Sequence, residues 1–374
     1  MKFRSSILRI VKTAGLALLF IAVLEVCARL EDWIKWDAGF FANYNNEILR
    51  VADELGFHNR PGARYLKWRI NEWGFRGNEI AKEKPPGVIR VVSTGASETF
   101  GLFESEGKDY PSQLQAILDE IEPGRFEVIN AACPGMTPPR INYYFEHWLR
   151  QFEPDILIYF PGATAYLDIK PPPDEFHFNA ARRWQPKKNL RIENKFHEAF
   201  KQFIPLSIQT WLRDLRVKRV VSQYPSGWIF DSVPEERVAI FHDQLTRLVE
   251  VVRRHDISII LSTYANLLSD CSGENLKSHI IEARRNSPRA SEQALCQIES
   301  AANMVLKKLN GELGVPLADV AARLPRSTQY FADSVHFTDQ GAAIVARTFA
   351  DEILKVSAAV KSKKVSTQAG QSKK

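Results

Sequence analysis

Residues 88–101, VIRVVSTGASETFG, constrain the fold of this chain more than any other stretch. The continuous β-branched run Val88-Ile89-Arg90-Val91-Val92 reads as a buried strand, and it empties into a turn that contains Gly95, Ser97, Thr99 and Gly101. Ser97 then stands just past a strand's C-terminal end. Ligands bind at that end of open parallel α/β sheets, and a tight glycine-flanked turn lifts a serine hydroxyl clear of the backbone. Two plainer readings are a phosphate-cradling turn and a simple strand-to-helix connection. A phosphate loop needs Lys-Ser or Lys-Thr after its second glycine, and a dinucleotide fingerprint needs G-x-G-x-x-G; neither pattern is present.

A serine hydroxyl is a poor nucleophile until an oriented base takes its proton. Asp333-Ser334-Val335-His336 supplies an acid and a base within four residues. It follows the short apolar segment 315–320, expected as a late strand, and precedes a helix expected to be capped by Thr338. His147, His242 and His255 fall inside or at the ends of helical patterns, where packing or a surface position explains them.

With both halves in hand, the chain resembles the SGNH (GDSL-like) hydrolases. Gly95-Ala96-Ser97-Glu98-Thr99-Phe100-Gly101 is similar to the family's serine block, and Asp333 and His336 stand three apart near the C-terminus, as the family's acid and base do. The resemblance covers most of the chain. It implies a catalytic triad of Ser97, Asp333 and His336. It also implies an oxyanion hole built from the Ser97 backbone, Gly135 in Asn130-Ala131-Ala132-Cys133-Pro134-Gly135, and position 164 in Gly162-Ala163-Thr164-Ala165. Thr164 replaces the family's asparagine there, which implies a weakened oxyanion hole, and Ala96 stands where many members carry Asp. No metal and no cofactor are implied.

Periodicity extends the fold beyond the serine turn. Residues 110–121 have helical spacing, 126–132 and 155–160 read as strands, and Thr137 before Pro138 and Pro139 reads as a helix start. Ser232-Val233-Pro234-Glu235 matches a capping box before a helix with an apolar stripe, 258–263 is a further strand, and 290–309 a further helix. Strands alternating with helices predict an α/β fold with a doubly wound parallel sheet, a flavodoxin-like three-layer sandwich. Residues 88–356 are expected to form it. Ser97, Gly135 and Thr164 each follow a strand, so one sheet edge gathers all three.

Residues 1–30 are membrane-directed: Lys2, Arg4, Arg9 and Lys12 precede an unbroken apolar run over 14–24. Two readings stand, a cleaved signal peptide with Val26-Cys27-Ala28 at the cut, and an uncleaved anchor over 10–30 with its end charges at the interface. The second is the expectation, since the extended span reaches bilayer length. The leading positive charge puts the body outside the cytoplasm. Residues 31–87 form an expected membrane-proximal collar, rich in tryptophan, with packing as its role. Residues 166–227 interrupt the α/β rhythm. Between Arg182 and Arg219 there are eleven Lys or Arg against three acids, mixed with Trp184, Phe196, Phe200, Phe203 and Trp211. A lid, a grip for an anionic polymer, a patch on acidic lipid and a solvated amphipathic helix all fit that composition. Residues 357–374 are basic, poor in apolar side chains and expected to be disordered.

A net charge of +6 is modest for 374 residues, and no helix-turn-helix, zinc-finger or RNP-like pattern accompanies it, so no nucleic-acid partner is expected. The four cysteines contain no C-x-x-C pair, and Cys271 with Cys296 can pair in an oxidising compartment. The expected function is an extracytoplasmic, membrane-anchored ester hydrolase or acyl-transfer enzyme. Its expected substrate is an O-acylated glycan, a class the resemblance implies and the basic insertion suits. The alternative is a weak or inactive domain that binds glycan within an envelope assembly, which Thr164 keeps open.

Overall fold

The computed structural model describes residues 2–41, 49–162, 190–225, 227–269, 271 and 276–371. Helix α1 (Lys2–Trp36) comes first, and within Arg9–Trp36 it is long and apolar enough to cross a membrane, with an 18-residue window of mean hydropathy 2.2. Two small hairpins follow: β1 (Arg50–Asp53) with β2 (Gly56–Asn59), and β3 (Arg64–Tyr65) with β4 (Trp68–Arg69).

The body is built on five parallel strands, β5 (Ile89–Gly95), β6 (Phe126–Asn130), β7 (Ile156–Phe160), β8 (Ser258–Ser262) and β9 (Leu317–Ala318). Their order is β6-β5-β7-β8-β9. Numbered within the sheet this is 2-1-3-4-5, the doubly wound order expected of a flavodoxin-like sandwich. Every residue of β5 and of β7 is buried, as strands covered on both faces must be. That is why neither sequence alternates, β7 running apolar throughout and β5 burying Arg90, Ser93 and Thr94 with its apolar residues. Around the sheet lie α2 (Ser97–Phe100), α3 (Tyr110–Ile121), α4 (Pro138–His147), α5 (Arg191–Lys201), α6 (Leu206–Val221), α7 (Glu235–Arg253), α8 (Lys277–Asn286), α9 (Glu292–Leu313), α10 (Val320–Arg323) and α11 (Asp339–Gln371). Helix α3 packs on α11 and β6, while α7 packs on α4, α9 and β8.

Several local expectations shift. The segment expected as a strand over 315–320 is a two-residue strand that turns into α10, because the Asp319 side chain accepts from Ala322 N and starts a helix there. Thr137 and Ser232 do not cap: α4 and α7 start at Pro138 and Glu235 without a side-chain cap bond. Proline supplies the entry instead, with its fixed φ at Pro138 in one and at the capping position, Pro234, in the other. Thr338 does cap, accepting from Gly341 N at 3.2 Å. Helix α11 runs on to Gln371, across most of the tail expected to be disordered, since alanine, lysine and valine there continue the helix without a breaker before Gly370.

The hairpin region is sewn into the body. Asn59 Nδ2 donates to Ala132 O at 2.9 Å, and Arg76 N donates to Asn130 O at 2.9 Å, extending the sheet by an antiparallel bridge. Asn71 Oδ1 accepts from Trp73 N and Phe75 N, which turns Phe75 inward onto Phe152 at 4.8 Å between ring centroids. The reason for a charged residue, Arg90, inside a fully buried strand is also here. Its fully buried guanidinium pairs with Glu127 and donates to the carbonyls of Ala81, Lys82 and Phe152. Cys271 and Cys296 form a disulfide with a Cα–Cα distance of 5.6 Å.

Candidate active site

The connection from β5 runs to β6 on one side, and the connection from β6 crosses back past β5 to β7 on the other. Ligands bind at the C-terminal ends of the strands flanking such a switch point. Ser97 is the first residue of α2, directly after β5, and Gly162 lies two residues beyond β7. The edge is tightly made. A Cβ at Gly95 would overlap Thr99 Oγ1 and stand 2.8 Å from Phe160 O, while one at Gly162 would stand 2.5 Å from Ala96 Cβ and 3.0 Å from Glu98 Oε2. Only glycine allows the β5 and β7 ends to close on the serine turn.

Behind Ser97 the turn is held by buried polar groups. Asn130 Nδ2 donates to Thr99 O at 3.0 Å and to Asp109 Oδ1 at 3.0 Å, and Tyr110 Oη donates to Thr99 Oγ1 at 3.2 Å. Arg76 reaches from the hairpin region to the carbonyls of Phe100 and Gly101 and pairs with Asp109 at 3.4 Å. The sequence reading assigned this region only packing. The contact through Arg76 makes it the back wall of the serine turn.

Asp333 and His336 meet as expected. Asp333 Oδ2 is 2.7 Å from His336 Nδ1, and Oδ1 accepts from the backbone N–H groups of Val335 at 2.9 Å and His336 at 2.8 Å. Burial alone would lower the His336 pKa. The hydrogen bond and charge of Asp333, with the charges of Glu98 and Glu104, outweigh it and hold the imidazole above its ordinary value. Burial would raise Asp333, and its bonds to His336 and Val335 bring it below the usual carboxylate range.

The serine and the histidine are not hydrogen-bonded to each other. Ser97 Oγ donates to Glu98 Oε2 at 3.1 Å, and His336 Nε2 is buried with no hydrogen-bond partner among the described residues. Glu98, buried at 1 %, lies beside the serine hydroxyl and adds its charge to the histidine's surroundings. The Phe103 ring leans on the His336 ring at 5.1 Å, and Phe103 with Thr338, Asp339 and Gln340 lines a shallow cleft. Next to it, burial pushes the Glu104 carboxyl up to about 8, and its Oε1 has no hydrogen-bond partner among the described residues. Ser105 N donates to Asp339 Oδ1 at 2.7 Å, tying the loop after the serine to the segment after the histidine. A larger cleft lined by Lys84, Asp155 and His255 lies at the opposite edge of the sheet, where β7 and β8 begin, away from Ser97.

Gly135 sits in the turn after β6 with φ +84° and open space where a Cβ would point. Thr164 and the basic residues 182–188 lie outside the described residues. Sequence reasoning missed Glu98, Arg76, Phe103 and Glu104. Glu98 had one visible signal, its place inside the serine block; the other three are brought to the site by long-range packing.

No family model matches the chain, and no curated protein does. Solved structures similar to it include a lipolytic G-D-S-L family protein from Veillonella parvula, at 12% identity, covering 70% of this chain and 96% of that one, with a TM-score of 0.40. A catalytic mutant of an acetylxylan esterase from Geobacillus stearothermophilus aligns at 14% identity over 71% of this chain and 94% of its own, with a TM-score of 0.41. A GDSL-like lipase from Bacteroides thetaiotaomicron aligns at 12% identity over 71% and 88%, with a TM-score of 0.39. At such scores the assignment of the fold rests on the chain's own strand order.

Proposed function

We propose that this chain is an SGNH-type ester hydrolase or acyl-transfer enzyme, anchored by α1 with its body outside the cytoplasm, and that it acts on O-acylated glycan. The observation that carries the reading is the Asp333–His336 pair, whose free Nε2 is left for a serine of the same sheet edge. Ser97 attacks the acyl carbonyl once its hydroxyl swings from Glu98 to His336 Nε2. His336 takes the proton, and Asp333 holds the imidazolium and its tautomer. The backbone N–H groups of Ser97 and Gly135 serve the oxyanion, and Thr164 holds the motif position of a third donor. Collapse expels the sugar alkoxide, which takes the proton back from His336, and water or a second sugar hydroxyl then resolves the acyl-enzyme. The Cys271–Cys296 disulfide and the basic residues before α1's apolar run support an oxidising compartment outside the cytoplasm.

Labelling by a fluorophosphonate probe tests the nucleophile without knowledge of the substrate. The full chain is expected to label, Ser97→Ala to lose the label, and Ser97→Ala, His336→Ala and the double variant to lose similar esterase activity, since triad members act as a unit. A wild-type chain that neither labels nor turns over any ester would point to the glycan-binding alternative, which Thr164 and the Ser97–Glu98 bond both favour.

A further inference from the structure

Helices α5 and α6 wear their apolar residues on the outside. In α6, Ile208, Trp211, Leu212 and Leu215 follow i, i+3, i+4, i+7 spacing, which makes one stripe, and all four are exposed, Trp211 at 59 %. The opposite side carries Thr210, Arg213, Asp214 and Val217. That polar side is the one turned to the body: Val217 is 3 % exposed, and Arg213 pairs with Glu282 of α8, on which α6 packs. A solvated surface helix has the reverse arrangement, so water is the wrong neighbour for this stripe. In α5, Phe196 and Phe200 stack at 5.8 Å and are likewise exposed.

The position of α5 names the neighbour. Glu25 ends the apolar run of α1, and its carboxylate accepts from Ile192 N at 2.9 Å in the first turn of α5. Asp32, about 10 Å farther along the helix axis at 1.5 Å per residue, takes Arg191 at 3.3 Å and Lys195 at 2.8 Å. An inserted α1 therefore sets the start of α5 at the level where hydrocarbon gives way to head groups. Residues 190–222 hold seven Lys or Arg against three acids, and two exposed arginines stand at the stripe's C-terminal end, Arg216 on its flank and Arg219 in line with it one turn beyond Leu215.

We propose that α5 and α6 lie on the membrane surface, with the stripe of Ile208, Trp211, Leu212 and Leu215 sunk among acidic lipids and Arg216 and Arg219 on their head groups. This rests on the anchoring part of the proposed function and is independent of the chemistry at Ser97. An amphipathic helix of this kind sits with its apolar face roughly 5–10 Å into the boundary of head groups and acyl chains.

The test uses the full chain with Cys27→Ser, carrying an environment-sensitive NBD label on one introduced cysteine. The sites are Leu212→Cys, Leu18→Cys within the apolar run of α1, and Met304→Cys on the exposed side of α9. Vesicles contain phosphatidylcholine, phosphatidylglycerol and a doxyl-labelled phosphatidylcholine as quencher. The expected result is quenching at positions 18 and 212 and none at 304. Adding Arg216→Glu with Arg219→Glu is expected to shift the equilibrium of α6 away from the lipid by roughly tenfold or more, since each basic residue near an anionic surface contributes about 1 kcal/mol. Quenching at 212 would then fall toward the level at 304 while that at 18 persists. Failure at position 18 removes the anchor and this inference together. Quenching at 18 with an unquenched, solvent-exposed label at 212 leaves the anchor and overturns the inference. A blue-shifted but unquenched label at 212 means that protein, from residues 163–189 or a second copy, covers the stripe, and overturns it as well. Quenching at 212 that ignores the charge reversal overturns the role of acidic lipid.

Discussion

Glu98 changes the proton economy of the candidate site. A base must be neutral to accept a proton, and His336, held above its ordinary value, becomes neutral only at a higher pH than a free imidazole. The ascending limb of kcat/KM against pH is therefore expected above about 6.5, the ordinary histidine value. Glu98→Gln removes one of the charges that favour the imidazolium, so the limb should move to lower pH, read with a small chromogenic ester. An unmoved limb in that variant would show that the carboxylate does not act on the histidine. The Asp333–His336 pair was legible because both residues lie in one short local pattern whose residue types carry their chemistry, whereas the role of Ser97 beside it belongs to the proposed function. Glu98 was printed beside Ser97 and still was not legible as part of the site. An acid in the first turn of a helix is ordinarily solvated, and this one is closed in where Gly162 comes so near that a Cβ there would stand 3.0 Å from its Oε2.

At the scale of elements, the Cys271–Cys296 bond fastens the segment that carries α8 to the first turns of α9. It closes a loop of 25 residues, for which the chain-entropy estimate is about 3 kcal/mol. Cys296→Ser is expected to lower unfolding stability by roughly that amount, measured by denaturant titration in detergent, and reductant should bring the unmodified chain to the same midpoint. If reductant leaves the midpoint of the unmodified chain in place, the bond is not formed in solution or contributes nothing. The two proline-led helix starts show where local rules compete: Thr137 and Ser232 carry the right side chains for caps, and the prolines that follow set the backbone instead. The pairing of the cysteines was open in the sequence because nothing within 25 residues dictates that the chain returns on itself. Packing of α8 against α9 supplies that return.

For the molecule as a whole, the alternation of strands and helices was enough to anticipate the doubly wound sheet, because right-handed crossovers leave few other arrangements. The hairpin region was not readable in that way. Its contribution comes from Asn59, Arg76 and the backbone carbonyls of Ala81 and Lys82 meeting residues 8 to 73 positions away, and separations of that size leave no periodic trace. These contacts predict that the hairpins and the sheet unfold together. Arg76→Met strands the buried Asp109 carboxylate, and removing one partner of a buried ion pair typically destabilises by about 3–5 kcal/mol. Tryptophan fluorescence from the hairpin region and far-ultraviolet circular dichroism from the body should both move to one lower midpoint. Two separate transitions would make the region an independent unit.

The ion pairs of Asp32 with Arg191 and Lys195 join α1 to the body through α5, α6 and α8, by a route that bypasses the chain between α1 and β1. A body hung on a linker alone would explore a hemisphere around its anchor. One clamped to its anchor keeps rotation about the membrane normal and gives up most of its vertical travel. On the proposed function, with α1 in a bilayer, the serine edge would sweep a thin annulus at one altitude, and an ester would be selected by its distance from the lipid before its acyl group is ever tested.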